Sequence, residues 1–215
     1  MRARLSGMNR PEIILRPANP CHEEGLRFAR FMNMAADGGF RYLFGPRYRE
    51  IVAEAFVEPG HDLSHEYALF AEQGGEILGM ASGYTAEQHG RSSDEPITRA
   101  AGRSAFRIAC MFALTAPMWR FMHTYEKGDF YLQFLAVDEA HRGKGVGSAL
   151  IDAMEARGRE GGADRFVIDV SGRNPDAQRL YERQGFEACA RWPRLALFPP
   201  MVRRLAKPLD RSVDA

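Results

Sequence analysis

The residues whose types and spacing best suit them to chemistry lie in one short run, Arg142-Gly143-Lys144-Gly145-Val146-Gly147-Ser148. An apolar and aromatic stretch of strand length precedes it at 130–137 (FYLQFLAV). A helical pattern follows, in which Val146, Ala149, Leu150, Ala153 and Met154 recur at i, i+3, i+4, i+7 and i+8. Strand, glycine-rich loop and helix together form an anion site. Glycines let the backbone turn tightly and approach a ligand, while the free N–H groups and dipole of the helix start favour phosphate.

Two nucleotide-binding readings of this loop fit poorly. A P-loop requires GxxxxGK[ST], and no Lys-Ser or Lys-Thr stands at the required place. A dinucleotide fingerprint requires GxGxxG directly after the strand. Here Ser148 occupies the third glycine position, residues 138–142 separate strand from glycines, and no further βα units follow. Asp169 stands where a ribose-binding acid would, which keeps that reading in play but disfavoured.

The hexapeptide Arg142-Gly143-Lys144-Gly145-Val146-Gly147 fits R/Q-x-x-G-x-G/A, and at this point the chain resembles the GNAT superfamily of N-acetyltransferases. The resemblance extends to FLAV before the loop, to Ser148-Ala149-Leu150 after it and to Ile14-Leu15-Arg16-Pro17-Ala18 near the start. It also includes Asn174, Ala177, Leu180-Tyr181 and Gly185-Phe186, which match a signature near the family's end.

The resemblance implies an acetyl-CoA-dependent transfer of an acetyl group to a primary amine, by direct attack in a ternary complex and without a metal. It places Arg142, Gly143, Lys144, Gly145, Val146, Gly147 and Ser148 around the coenzyme A pyrophosphate. It places Leu135, Ala136 and Val137 along the pantetheine, with Asn174, Ala177 and Tyr181 beside it. Side chains at the three glycines would hold the phosphates away. Tyr181 is the implied acid for the departing thiolate; a phenol near pKa 10 donates a proton at neutral pH rather than accepting one. Its other reading is packing, since Ala177, Leu180 and Tyr181 share one helical face. Asn174 is either a pantetheine contact, a helix cap or both.

No general base stands out. Some family members carry a glutamate early in the strand before the loop, where this chain has Tyr131, with Asp129 two residues earlier. Glu87, His89, His123 and Glu126 lie in or beside an insertion that could line an acceptor pocket, though each also reads as a solvated residue. His61 and His65 have metal-like spacing without a second ligand cluster and read better as a polar turn. The absent glutamate supports an alternative function, an acyl-CoA-binding regulatory module with little or no turnover.

These residues must be positioned by a mixed, mostly antiparallel sheet with flanking helices, an α/β domain of α+β type in the order β, helices, β-β, insertion, β-α-β-α-β-β. Strands are expected at 13–16, 67–72, 77–84, 130–137, 165–170, 186–191 and 195–198, the last resuming as far as 202. Helices are expected at 23–36, 48–57, 99–126, 146–160 and 174–184, with Pro117 ending or kinking the third. The expected layout is an N-terminal extension at 1–11, one domain at 12–205 with a helical insertion at about 85–129, and a tail at 206–215. Met8 is a second candidate start.

With 45% hydrophobic and 27% charged residues and a net charge of +1, the chain has the make-up of a soluble domain and no field to attract nucleic acid. The three cysteines are scattered and no secretory signal stands out, so a reducing, cytoplasmic setting is expected. The apolar stretch 105–122 contains Arg107, Pro117 and Arg120, which argues against a membrane span. Its Phe106, Phe112, Trp119, Phe121 and Met122 could pack on the domain, cover a small-molecule or peptide amine, or form a homodimer contact.

Overall fold

A computed structural model describes residues 4–5, 12–195, 197 and 199–209. The strands are β1 (Arg4–Leu5), β2 (Ile13–Pro17), β3 (Ala68–Gln73), β4 (Glu76–Thr85), β5 (Asp129–Val137), β6 (Arg165–Ser171), β7 (Glu187–Trp192) and β8 (Val202–Pro208). They form one sheet in the order β1-β2-β3-β4-β5-β6-β8-β7. Every pairing is antiparallel except β5 with β6. The mixed, mostly antiparallel sheet is the one expected from the order of elements.

One face carries α8 (Val146–Glu160) and α9 (Pro175–Arg183). Val146, Leu150, Ile151 and Met154 of α8 pack there with Phe130, Leu132, Phe166 and Ile168 of the sheet. The opposite face carries α1 (His22–Ala35), α2 (Gly39–Phe44) and α3 (Tyr48–Phe56), where Phe28, Met32, Ile51 and Phe56 meet Phe70, Met80 and Phe134. Helices α1 and α3 approach closely because Gly25 has no side chain; a Cβ there would sit 2.8 Å from the Ala53 Cα. Gly25→Val is therefore expected to lower Tm by several degrees, since overpacking of this kind costs about 1–3 kcal/mol. Thermal unfolding followed by circular dichroism checks it, and an unchanged Tm would mean that the helices part freely.

Between β4 and β5 the chain forms α4 (Ala86–His89), α5 (Glu95–Ala101), α6 (Ala105–Leu114) and α7 (Ala116–Met122). One continuous helix does not form. Pro117 falls in the first turn of α7, where its missing N–H costs nothing. Thr115 stands between α6 and α7, donating its hydroxyl to Met111 O at 2.7 Å and accepting Trp119 Nε1–H at 2.8 Å.

The end of the chain also departs from the expected pattern. Leu195 lies outside any strand, and Ala196 and Phe198 lie outside the described residues. The final strand is β8, which continues to Pro208, and Leu209 beyond it is buried. Charges obscure this strand in the sequence, because alternate residues serve different faces. Leu205 enters the core under α8, while Arg204 turns to an ion pair on the other side.

Candidate active site

Gly143 and Gly145 adopt φ of 72° and 85°, the left-handed region that glycine reaches without penalty. A Cβ built on either meets nothing within 4 Å, so open space lies against the loop where a ligand can approach the backbone. Gly145 is the N-cap of α8, and the first bond of that helix runs from Ala149 N–H to Gly145 O at 3.0 Å. The N–H groups of Val146, Gly147 and Ser148 are thus left without an acceptor in the helix. Gly147 differs from its neighbours. A Cβ there would touch Leu180 and Val137 at 3.5 and 3.7 Å, so its smallness serves helix packing rather than the open side of the loop. Arg142 Nε–H donates to Val137 O at 3.2 Å and Lys144 Nζ to Ala140 O at 2.7 Å, holding both exposed cations over the loop.

Beside this loop the sheet opens. Strand β5 pairs with β6 from Asp129↔Arg165 to Leu132↔Ile168, and no pairing continues beyond that point. Strand β6 turns to β8 and stays paired with it to Ser171↔Val202, while β5 stays with β4 to Gly79↔Val137. The parting coincides with a bulge. The β4–β5 register shifts between Ser82 and Gly83, leaving Gln133 as the extra residue. The bulge exchanges the faces of β5: Phe130 and Leu132 point toward α8 before it, and Leu135 and Val137 do so after it.

Backbone alternation then decides which groups face the gap. Asp138 N–H donates to Leu78 O at 2.8 Å, which makes Leu78/Asp138 a hydrogen-bonded pair. The next such pair is Met80/Ala136. Ala136 therefore commits its amide and carbonyl to β4, and its side chain packs on the α1 side. Leu135 and Val137, in between, turn their polar backbone groups toward the gap. Of the three strand residues expected along the pantetheine, these two direct backbone groups to the gap, the Val137 carbonyl there accepting Arg142 Nε–H.

On α9, Asn174 caps the helix by accepting Ala177 N–H at 3.0 Å, and Pro175 follows in the first turn. Ala177, Leu180 and Tyr181 point to the core under α8. The Tyr181 ring is buried and meets Phe186 with centroids 5.7 Å apart. Its hydroxyl makes no hydrogen bond to a described residue, and burial raises the phenol, keeping it protonated.

The sequence matches the Acetyltransferase (GNAT) family over residues 38–186. The chain belongs to that family. It is 38% identical over 78 residues to the mycothiol acetyltransferase of Beutenbergia cavernae, an overlap of 36% of this chain and 26% of that one. It is 43% identical over 60 residues to an acetyltransferase of Agrobacterium fabrum, covering 28% of this chain and 42% of the relative. The chain thus matches under half the length of either. An N-acetyltransferase from Staphylococcus aureus has a similar fold, with a TM-score of 0.61 at 15% identity, covering 90% of this chain and 99% of that one. A GNAT-family acetyltransferase from Streptococcus pneumoniae superposes with a TM-score of 0.53 at 15% identity, covering 92% and 99%.

In this GNAT chain the sheet face opposite α8 holds an aromatic cluster just before the point where β5 and β6 part. Tyr84, Tyr131 and Val167 form its buried base, with Tyr67 and Tyr125 packed on them. Tyr131 donates its hydroxyl to Asp169 Oδ2 at 3.2 Å. Asp169 is held by Arg204 through two bonds, Nε to Oδ1 at 2.9 Å and Nη2 to Oδ2 at 2.7 Å. Arg204 also donates to Phe121 O, Met122 O and Thr124 O, tying the end of α7 to the sheet. Burial raises the Asp169 carboxyl, against the opposing pull of Arg204 and Tyr131.

The acidic and histidine residues singled out from sequence fall into separate groups, with His89 and His123 in edge contact at 5.3 Å. Asp129 is buried and paired with Arg165 at 2.7 Å, and Glu126 joins the same arginine at 3.1 Å. Both line an open depression at the starts of β5 and β6, away from the glycine loop. Glu87 and His123 are exposed. His61 Nε2 and His65 Nδ1 lie 2.9 and 3.1 Å from Ala55 O and Phe56 O, serving the last carbonyls of α3. Among the described residues, no group of three or more His, Cys, Asp or Glu could hold a metal ion.

In the insertion, Phe112 and Trp119 pack on the α1 side, Phe121 lies under Arg204 at 4.9 Å, and Phe106 and Leu114 are exposed. No helix among the described residues is long and apolar enough to cross a membrane. The Asp62–His89 pair, which sequence spacing gave no means of finding, lies on the rim of the aromatic cluster: Nδ1 lies 2.7 Å from Asp62 Oδ2.

Proposed function

We propose that the chain is an acetyl-CoA-dependent N-acetyltransferase, acting on a primary amine by direct attack in a ternary complex. The observation that carries this is the gap between β5 and β6, which opens beside the free N-terminus of α8 and the open space at Gly143 and Gly145. The amides of Val146, Gly147 and Ser148 would bind the pyrophosphate, with Arg142 and Lys144 adding positive charge. The backbone groups of Leu135 and Val137 would hold the pantetheine, and the Tyr181 hydroxyl would protonate the leaving thiolate. The three cysteines are free, in keeping with a reducing compartment such as the cytoplasm. The name of the Beutenbergia relative, a mycothiol acetyltransferase, brings mycothiol-related amines among the acceptors worth testing, alongside small amines, antibiotics, amino acids, polyamines and protein N-termini.

Coenzyme A at about 100 times its Kd is expected to stabilise the fold by about 2.7 kcal/mol, or roughly 5–11 °C in Tm for a chain of this size. NAD and ATP at the same concentration are expected to leave Tm unchanged. Gly145→Glu is expected to abolish the coenzyme A shift, because it puts a side chain and a negative charge into the cradle. A strong shift with NAD and none with coenzyme A would return the loop to a dinucleotide site.

Tyr131, where some family members have a glutamate, supports a second reading, an acyl-CoA-binding module with little turnover. Thiol release from acetyl-CoA in the presence of an amine panel separates the two: the module would show the Tm shift and release none.

A further inference from the structure

We propose that His89, held by Asp62, is the proton acceptor for the incoming amine, with Asp62 as its positioning residue. This rests on the acetyltransferase reading above and supplies the base which that reading lacks. A protonated amine cannot attack a thioester until it loses a proton, so a base must face the acceptor side of the splay.

The geometry of the pair suits the task. Asp62 arrives from the turn after α3, where the flanking His61 and His65 are anchored to helix carbonyls. That anchoring fixes the turn, and Ser92 fixes it further by accepting Asp62 N–H at 3.0 Å. A carboxylate only accepts, so the Nδ1 facing Asp62 Oδ2 carries the imidazole proton and Nε2 is left with a lone pair. Nε2 makes no hydrogen bond to a described residue. The ring is fixed by stacking on Tyr84 at 5.4 Å and 13°, and by the edge contacts of Tyr125 and His123 at 4.8 and 5.3 Å. Tyr84 is paired with Tyr131, one residue before Leu132, where β5 leaves β6. The imidazole therefore stands on the sheet face opposite α8, close to the apex of the gap.

The phenols and the second carboxylate of the cluster are committed or unsuited. Burial raises the phenols of Tyr84, Tyr125 and Tyr131, so they remain protonated. Asp169 is paired with Arg204. The groups that face His89 are Asp62 from the turn, Tyr84 from β4, His123 and Tyr125 after α7, and Asp94 before α5. The Asp62 hydrogen bond raises the His89 imidazole, outweighing partial burial, and Asp94 adds to the rise.

In the step itself, Nε2 takes one proton from the ammonium, directly or through one water, and the freed lone pair attacks the thioester carbonyl carbon. The C–S bond then breaks, and the thiolate takes a proton from the Tyr181 hydroxyl. The second proton lost by the amide nitrogen restores that hydroxyl, and the imidazolium releases its own to solvent.

The test is kcat/KM for the amine from pH 5.5 to 9, read as thiol release from acetyl-CoA in wild type, His89→Gln and Asp62→Asn. Wild type is expected to show an acid limb above the ordinary histidine value. His89→Gln is expected to lose about 100-fold at pH 7, with the deficit closing where the amine is already neutral. Asp62→Asn is expected to move the limb to lower pH. The Tm shift with coenzyme A should survive in both variants. A His89→Gln enzyme with wild-type rates and an intact limb overturns the proposal. Should that variant fail to fold, the imidazole of His89 in wild type can be titrated by NMR, and a midpoint away from the kinetic limb overturns it equally. A wild type that gives neither a coenzyme A shift nor thiol release fails earlier, at the acetyltransferase reading.

Discussion

Arg204→Met is expected to destabilise the chain by about 3–5 kcal/mol at pH 8, because it leaves a buried carboxylate without its counter-ion. The Asp169 side chain is 0% exposed and that of Arg204 9%, so water cannot replace the lost guanidinium. At roughly 2–4 °C per kcal/mol for a chain of this size, Tm should fall by about 6–20 °C. The loss should depend on pH with a definite sign. In the variant, burial acts on Asp169 against the Tyr131 hydrogen bond alone, and its folded pKa, already raised, moves further above the unfolded value of about 3.9. The folded state then holds that proton more tightly than the unfolded one. The resulting stability is fully present below the unfolded pKa and is lost as pH rises through the raised folded value. The gap between variant and wild type should therefore be smaller at pH 5 than at pH 8. Adding Asp169→Asn to Arg204→Met removes the orphaned charge and should recover part of the loss. Equal destabilisation at both pH values, with no recovery in the double variant, would show that Arg204 acts through the carbonyls of Phe121, Met122 and Thr124 instead.

What the sequence made legible, and what it hid, follows from the range of the interactions. The order β5, glycine loop, α8 could be read because each part carries a local signal: a continuous apolar strand, glycines at the turn and a stripe at helical spacing. The same holds for α9, opened by Asn174-Pro175 and followed by Gly185. The bulge at Gln133 carries no such mark, since FYLQFLAV reads as one uninterrupted strand. Yet the bulge determines that Leu135 and Val137, rather than Ala136, turn their backbone toward the gap. The Asp169–Arg204 and Asp62–His89 pairs were hidden for a different reason. Their partners stand 35 and 27 residues apart, and nothing at either position marks the other. Asp62 was further masked by its neighbours, because two histidines around an aspartate suggest a metal, whereas His61 and His65 turn to the carbonyls of α3. Tyr131 was legible only as a departure from the family pattern. The structure adds that its hydroxyl is tied to Asp169 and that the carboxylate–histidine pair lies on the same face.

Replacing Tyr181 by Phe is expected to lower turnover by roughly 10²–10⁴, the usual range for a positioned acid, while leaving the fold and coenzyme A binding intact. The substitution keeps the ring that packs against Phe186 and the α8 core, so the apolar contacts survive. It removes a hydroxyl that no described residue bonds, so no buried partner is orphaned and Tm should hold. This is what makes the variant informative: a side chain held only by packing would lose nothing on becoming Phe. Burial raises the phenol, so the group stays protonated through the neutral range and can donate to a thiolate whose conjugate acid has a pKa of about 8.5. A phenol in that state is an acid and not a base, and its loss should lower the rate without moving the acid limb assigned to His89. The measurement is single-turnover thiol release with saturating amine, where chemistry limits the rate, beside the coenzyme A Tm shift in the same variant. Full activity would leave Tyr181 as a packing residue of α9 and pass the proton donor's role to water. The proposed anion cradle at Gly143 and Gly145 would be untouched by that outcome, because it rests on the loop's backbone and on the open space beside it.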